Sequence, residues 1–266
     1  MDISEYKRLN ETSSYSRHPW EIARGRVLLR MLSGYIPRRP TNLVDIGSGD
    51  AYVINLACQH EVARSYFAID IAYTPEIVDQ LEKNNSHSPI SYFPDMAAFR
   101  RKGIPEGETL YLCMDVLEHL KDEREVLDLI VPASAAEAGS GSTGSAPKAP
   151  AFYFFSVPAF QSVFSNHDVL LGHYRRYTVA QFRELLTRQG LKVIDSGYFF
   201  SSLLIARWFE KKLLRKKDYS IDNWAGSPFK TRLLTGILGL DFSISRILKK
   251  AGIRLPGLSC YCICQL

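Results

Sequence analysis

Five short apolar segments, rich in β-branched and aromatic residues, recur between residues 42 and 158, and four of them end on Asp or Pro. The first, over 42–46, runs into Gly47; SYFAID (65–70) ends at Asp70, PISYFPD at Asp95, TLYLCMD at Asp115 and AFYFFSVP at Pro158. Helix signals or loops separate them. Strand, crossover and strand in repetition predict a parallel sheet wound on both faces. The stretch HPWEIARGRVLLRMLSGY carries apolar residues at helical spacing and stops near Gly34, which predicts a helix ahead of the first strand. Asp122-x-x-Glu125 and Thr178-x-x-Gln181 both have the form of capping boxes, and the second helix ends at Gly190.

With 266 residues, 46% of them hydrophobic, the chain has material for one large core. A single domain follows: an N-terminal helical cover over 1–41, a cofactor-binding core over 42–200, a basic helical insertion over 201–255 and a last strand over 256–266. The tract 133–150, ASAAEAGSGSTGSAPKAP, is too poor in large apolar residues to order itself and reads as a surface loop without chemistry.

The turn VDIGSGDAY (44–52) looks at first like a dinucleotide-binding loop. A G-x-G-x-x-G fingerprint would need glycine at 52, where Tyr52 stands, and Asp50 would face a pyrophosphate. A cationic cofactor inverts that preference. S-adenosylmethionine carries a sulfonium and an ammonium and no phosphate, so Gly47 and Gly49 edged by Asp45 and Asp50 suit it. Asp70 lies 21 residues past Gly49, at the offset where an acid after the second strand accepts from ribose hydroxyls. With Ile71 it forms the expected ribose contact. Asp95 and Met96 are placed to meet the adenine, and Asp115 to close the pocket.

VDIGSGDAY, FAID, YFPDM and YLCMDVLEHLKD resemble the successive motifs of class I S-adenosylmethionine-dependent methyltransferases, from the first strand to the last. The resemblance implies a Rossmann-like seven-stranded sheet whose last strand is antiparallel and inserted beside the fifth. LKVIDSGYF (191–199) and SCYCICQL (259–266) would be strands six and seven. The chain departs from the pattern at Ala51, where the family has a third glycine. The N-terminal HPWE with AR, and VPAFQSVFSNHD with GHYRRYT, resemble a bacterial subgroup linked with surface-glycan or lipid-linked sugar metabolism.

Methyl transfer needs alignment above all, and a base only where the acceptor starts protonated. His119, His167 and His173 are the candidates, the last two ahead. Asp115, Glu118 and His119, at i, i+3 and i+4, would share one side of a helical turn and could hold a divalent ion. The plainer reading makes Asp115 and Glu118 pocket residues, with His119 bonding locally and no metal. Asp168, Tyr174, Arg175 and Arg176 lie beyond the fifth strand, on the sheet edge where ligands bind in such folds, and are candidate substrate contacts. The acceptor is expected to be a small molecule, a sugar or a lipid-linked intermediate. The alternative is a regulatory or scaffold protein that keeps the cofactor pocket without turnover.

Charge is unevenly spread. Residues 201–266 hold 12 Lys and Arg against 4 Asp and Glu, while residues 1–200 hold 21 against 24. In LLIARWFEKKLLRKK, Ile205, Trp208, Phe209 and Leu213 line one face, with Arg207, Lys211 and Arg215 on another. Such pieces lie on anionic lipid or cover a core with a solvated rim. No aromatic platform accompanies the charge, so nucleic acid is not expected. The chain begins without a secretory signal and holds no apolar run near ~18 residues, which predicts a cytoplasmic protein with peripheral membrane contact at most. Five cysteines, three alternating in CYCICQL, fit reduced, buried thiols better than disulfides or zinc.

Overall fold

The computed structural model describes residues 17–36, 38–103, 106–131, 151–209, 224 and 226–266. Strands β1 (Asn42–Ile46), β2 (Ser65–Ile69), β3 (Ile90–Phe93), β4 (Thr109–Met114), β5 (Ala151–Pro158), β6 (Lys192–Phe199) and β7 (Ser259–Gln265) form one seven-stranded sheet in the order β3-β2-β1-β4-β5-β7-β6. The first five are parallel neighbours, and β7 runs antiparallel between β5 and β6. Every residue of β1 and β5 is buried, as befits strands covered on both faces.

The described helices are α1 (Pro19–Tyr35), α2 (Tyr52–Gln59), α3 (Pro75–Asn84), α4 (Met96–Lys102), α5 (Arg124–Ile130), α6 (Asn166–Leu170), α7 (Val179–Arg188), α8 (Ser201–Phe209) and α9 (Pro228–Lys250). Leu28 and Met31 of α1, Ile54 of α2, Leu81 of α3, and Leu238 and Phe242 of α9 pack one sheet face. Phe99 of α4, Leu127 of α5, and Phe182 and Leu186 of α7 pack the other. The tract 133–150, and Lys211, Leu213 and Arg215, lie outside the described residues.

Local sequence accounts for most helix starts. Thr178 and Gln181 form the expected reciprocal box: Gln181 N donates to Thr178 Oγ1 at 3.3 Å and Thr178 N donates to Gln181 Oε1 at 2.9 Å. The box expected at Asp122 and Glu125 does not form. Asp122 instead accepts from the Arg124 amide at 3.0 Å and from its guanidinium at 2.7 to 3.1 Å, and α5 starts one residue later than a cap at Asp122 implies. At α9 the C-terminal end is tied to the sheet through Lys249, which pairs with the Asp195 carboxylate and donates to Ser196 O at 2.7 Å and Tyr261 OH at 3.0 Å.

Candidate functional site

The sheet reverses direction of winding between β1 and β4, the place where open α/β sheets bind ligands. Three loops meet there. Gly47 N and Ser48 N both donate to Ile69 O, at 2.8 and 3.1 Å, which suspends the β1 turn from the end of β2. Asp70 fixes it further: Oδ2 accepts from Gly49 N at 2.9 Å and Oδ1 from Ala72 N at 2.9 Å. Gly47 and Gly49 have φ of +70° and +55°, where a side chain is strained, and a Cβ on Gly47 would clash with Val116 just beyond β4.

Non-glycine residues hold the same strained geometry at this edge. Ala51 after β1, Asp115 directly after β4, Phe160 after β5 and Phe200 after β6 all have φ between 56° and 67°. Strain gathered where four strands end is the pattern of a built site. Ala51 takes the left-handed cap position of α2 that glycine would fill more cheaply.

The two aspartates of the turn have different tasks. Asp45 is buried and accepts from Ser48 Oγ at 2.8 Å. Burial pushes its carboxyl up to about 7, only partly offset by that hydroxyl. Asp50 pairs with Arg17 at 2.5 Å, and Arg17 lies over the Tyr52 ring, 3.8 Å from its centroid. Asp115 pairs with Arg24 of α1, which rests on Trp20. The segment leading into α1 and α1 itself therefore deliver two guanidinium groups to the carboxylates of the sheet edge, and the sequence reading passed over both.

The remaining cofactor candidates separate. Asp95 caps α4, accepting from Ala98 N at 2.6 Å, and stays exposed at the surface. Met96 is buried in the same core cluster as Phe67 and Phe99. Ile71 is 94% exposed beside Asp70.

Beyond β5 the substrate candidates are engaged within the protein. Asp168 is fully buried: Oδ1 accepts from His173 Nδ1 at 2.9 Å and Arg176 Nε at 2.8 Å, and Oδ2 from Ser165 N at 2.8 Å. Burial would raise its carboxyl, but the bonds from His173 and Arg176 outweigh it and hold the group well below the carboxylate range. Arg175 spans to Glu123 Oε1 at 2.6 Å and to the carbonyls of Leu120 and Lys121 at 3.1 and 2.6 Å. Asp168, Arg175 and Arg176 thus brace the loop that the sequence assigned to substrate, because each finds its counter-charge internally. Tyr174 remains half exposed. Next to them a cleft of about 650 Å³ is lined by Phe160, Gln161, Arg175, Tyr177, Gln181 and Arg188, among others.

The histidines converge. His119 and His173 meet ring edge to ring face at 4.6 Å between centroids, and Glu118, completely buried, lies beside them. Burial lowers the His167 imidazole below its ordinary value, which keeps it neutral near pH 7.

No protein-family model matches this sequence, and no curated protein does. Solved structures match in fold. A chain of the complex between the Haloferax volcanii Trm112 methyltransferase activator and the putative methyltransferase superposes with a TM-score of 0.51 at 13% identity, covering 99% of this chain and 97% of its own. The plantazolicin methyltransferase BpumL, solved with a triazolic desmethylPZN analog and SAH, gives 0.52 at 12% identity, covering 98% and 88%. The fold is that of the class I methyltransferases, with the last strand antiparallel in a seven-stranded sheet.

Proposed function

We propose that this chain is an S-adenosylmethionine-dependent methyltransferase acting on a small-molecule, sugar or lipid-linked acceptor. The observation that carries it is the glycine turn Gly47–Gly49, held at the switch point of the sheet by Asp70 and too tight for a Cβ at Gly47. The flanking charges fit the ligand. The methionyl end of the cofactor is a zwitterion, and Asp50 with Arg17 and Asp115 with Arg24 present both signs beside the turn. When bound, the cofactor supplies an activated methyl group; the protein's part is to hold the turn, align the acceptor and accept its proton. His167, kept neutral by burial, is the base in this reading. Calorimetric titration with S-adenosylhomocysteine tests it, with saturable binding expected and NAD giving no heat. NAD binding in its place rejects the reading. Transfer of labelled methyl to an acceptor in cell extract separates an enzyme from a regulatory protein that only binds.

The acceptor is proposed to reach the site from an anionic lipid surface, and α9 supports this. Its inner face, with Thr235, Leu238, Phe242 and Ser245, is buried. A second apolar stripe lies on the outer side: Phe229, Leu233, Ile237, Leu240, Ile244 and Ile247, spaced by three or four residues and 44 to 76% exposed. The stripe runs most of a helix roughly 34 Å long. Exposed Lys230, Arg232 and Lys250 flank it, so a second copy of the chain laid against it would oppose like charges, whereas anionic lipid complements them. No helix among the described residues is long and apolar enough to cross a membrane. Co-sedimentation with anionic vesicles at low salt is expected, weakening by about 1 kcal/mol for each of these three cations neutralised. Equal recovery with neutral and anionic vesicles, or a dimer in solution that masks the stripe, rejects the lipid reading.

A further inference from the structure

Three donor groups that no step of the proposed reaction uses lie together beside the sheet edge. One carboxylate oxygen of Glu118 and one ring nitrogen each of His119 and His173 are all within 4.8 Å of one another. They come from two segments 54 residues apart, and Tyr174 N, donating to Glu118 O at 2.8 Å, clamps one segment to the other.

Glu118 is the residue that needs an explanation. It is completely buried, and neither of its carboxylate oxygens has a hydrogen-bond partner. Buried polar groups are ordinarily satisfied, and an acid left without a donor in the interior is a standing penalty unless something else occupies its lone pairs. Arg24 and Arg176 contribute only at a distance, and both are engaged, with Asp115 and Asp168 respectively.

The histidine beside it is prepared in the way a metal ligand is prepared. Asp168 Oδ1 lies 2.9 Å from His173 Nδ1, the carboxylate-to-imidazole bond that commonly stands behind a metal-binding histidine, and Nε2 is the ring nitrogen that this bond leaves for an ion. Asp168 is itself held by Arg176 and Ser165, so the imidazole has a fixed orientation. Asp115, which the sequence grouped with Glu118 and His119, stands apart in its pair with Arg24, and His173 takes the third place instead.

We propose that Glu118, His119 and His173 bind one divalent transition-metal ion, with Asp168 orienting His173 from behind. Two imidazoles and one carboxylate suit zinc, manganese, iron(II) or cobalt(II), and disfavour calcium and magnesium, which take oxygen donors. Donors about 2.1 Å from a common ion are at most roughly 4.2 Å apart, and a group gathered within 4.8 Å is close to that span. Three protein ligands leave coordination positions open to a hydroxyl or carboxylate of an acceptor. The site rests on the donor geometry and stands whether or not the chain transfers methyl groups.

The test needs no turnover. Chelator-treated protein is titrated with cobalt(II), read by the visible absorption of the bound ion, and with zinc by equilibrium dialysis. One equivalent is expected, with affinity lowered at least tenfold in Glu118→Gln and in His173→Asn and unchanged in His87→Ala, an exposed histidine elsewhere. Far-UV circular dichroism accompanies each variant. If Glu118→Gln fails to fold, the His173→Asn arm decides by the same criterion. No stoichiometric uptake by the wild type, or uptake undiminished in the folded variants, overturns the assignment.

Discussion

Asp70 Oδ2 accepts the amide hydrogen of Gly49 at 2.9 Å, and through that bond the end of β2 dictates the shape of the turn after β1. Asp70→Asn keeps the size of the side chain but turns one acceptor into a donor that faces a donor. The variant is expected to lose about 1–3 kcal/mol of stability, the usual penalty for a buried group left unsatisfied. S-adenosylhomocysteine affinity should fall with it. Thermal melting and calorimetry read the two losses; an unchanged melt would show that the turn holds its form without the carboxylate.

Gly47 and Val116 form a second such pair. Gly47→Ala meets the Val116 side chain and also forces a left-handed alanine. We expect roughly 2–4 kcal/mol of destabilisation, of which about 1–2 belongs to the backbone alone. Val116→Ala added to it should recover the steric part and no more. A double-mutant cycle in denaturant measures the split, and full additivity would place the clash elsewhere.

The carboxyl of Asp45 gives the fold a pH dependence of definite sign. Burial raises it from 3.8 to about 7, so between these values the folded state holds a proton that the unfolded chain has lost. Stability from this group is therefore complete below pH 4 and declines as pH rises through 7, with a slope of at most about 1.4 kcal/mol per pH unit. Asp45→Asn should flatten the decline between pH 5 and 7 in urea melts. A steeper decline in the variant contradicts the sign.

Lys249 joins the last turn of α9 to Asp195, Ser196 and Tyr261 on β6 and β7. Asp195 is held below its ordinary value by that pairing against the effect of its burial. Lys249→Met is expected to destabilise by about 1–3 kcal/mol, on the scale of hydrogen bonds to charged groups. It should also raise amide exchange in the last two turns of α9 ahead of the sheet. Uniform exchange across the domain would mean that the anchor is global.

The strands were legible because a sheet covered on both faces leaves nearly continuous apolar runs, and β5, buried at all eight positions, is the clearest. The cap at Thr178 was legible for the same local reason that the one at Asp122 was not: in the second case Arg124, two residues on, takes the carboxylate first. Long-range pairing lies beyond such reading. Arg17 finds Asp50 across 33 residues, and His173 meets His119 across 54. A signal did exist in Arg17 and Arg24, seven residues apart ahead of a chain of acid-ended strands, but it points to a partner only once the strands are placed. On α9 the pattern showed apolar residues mixed with basic ones; which of its two apolar faces meets the sheet is decided by packing and not by periodicity.

The position of β7 has a consequence for how the chain reaches its native state. It fills the slot between β5 and β6 and follows both in sequence, β6 by some 60 residues. Until it arrives, two long strands, one of them apolar along its length, present open edges of amides and carbonyls in the interior of the future sheet. Those edges would template pairing with other chains, and the closing step is among the least local contacts in the fold. The domain is thus most aggregation-prone while β5 and β6 stand formed without β7, and the three thiols of β7 become inaccessible to alkylation only when that insertion has taken place.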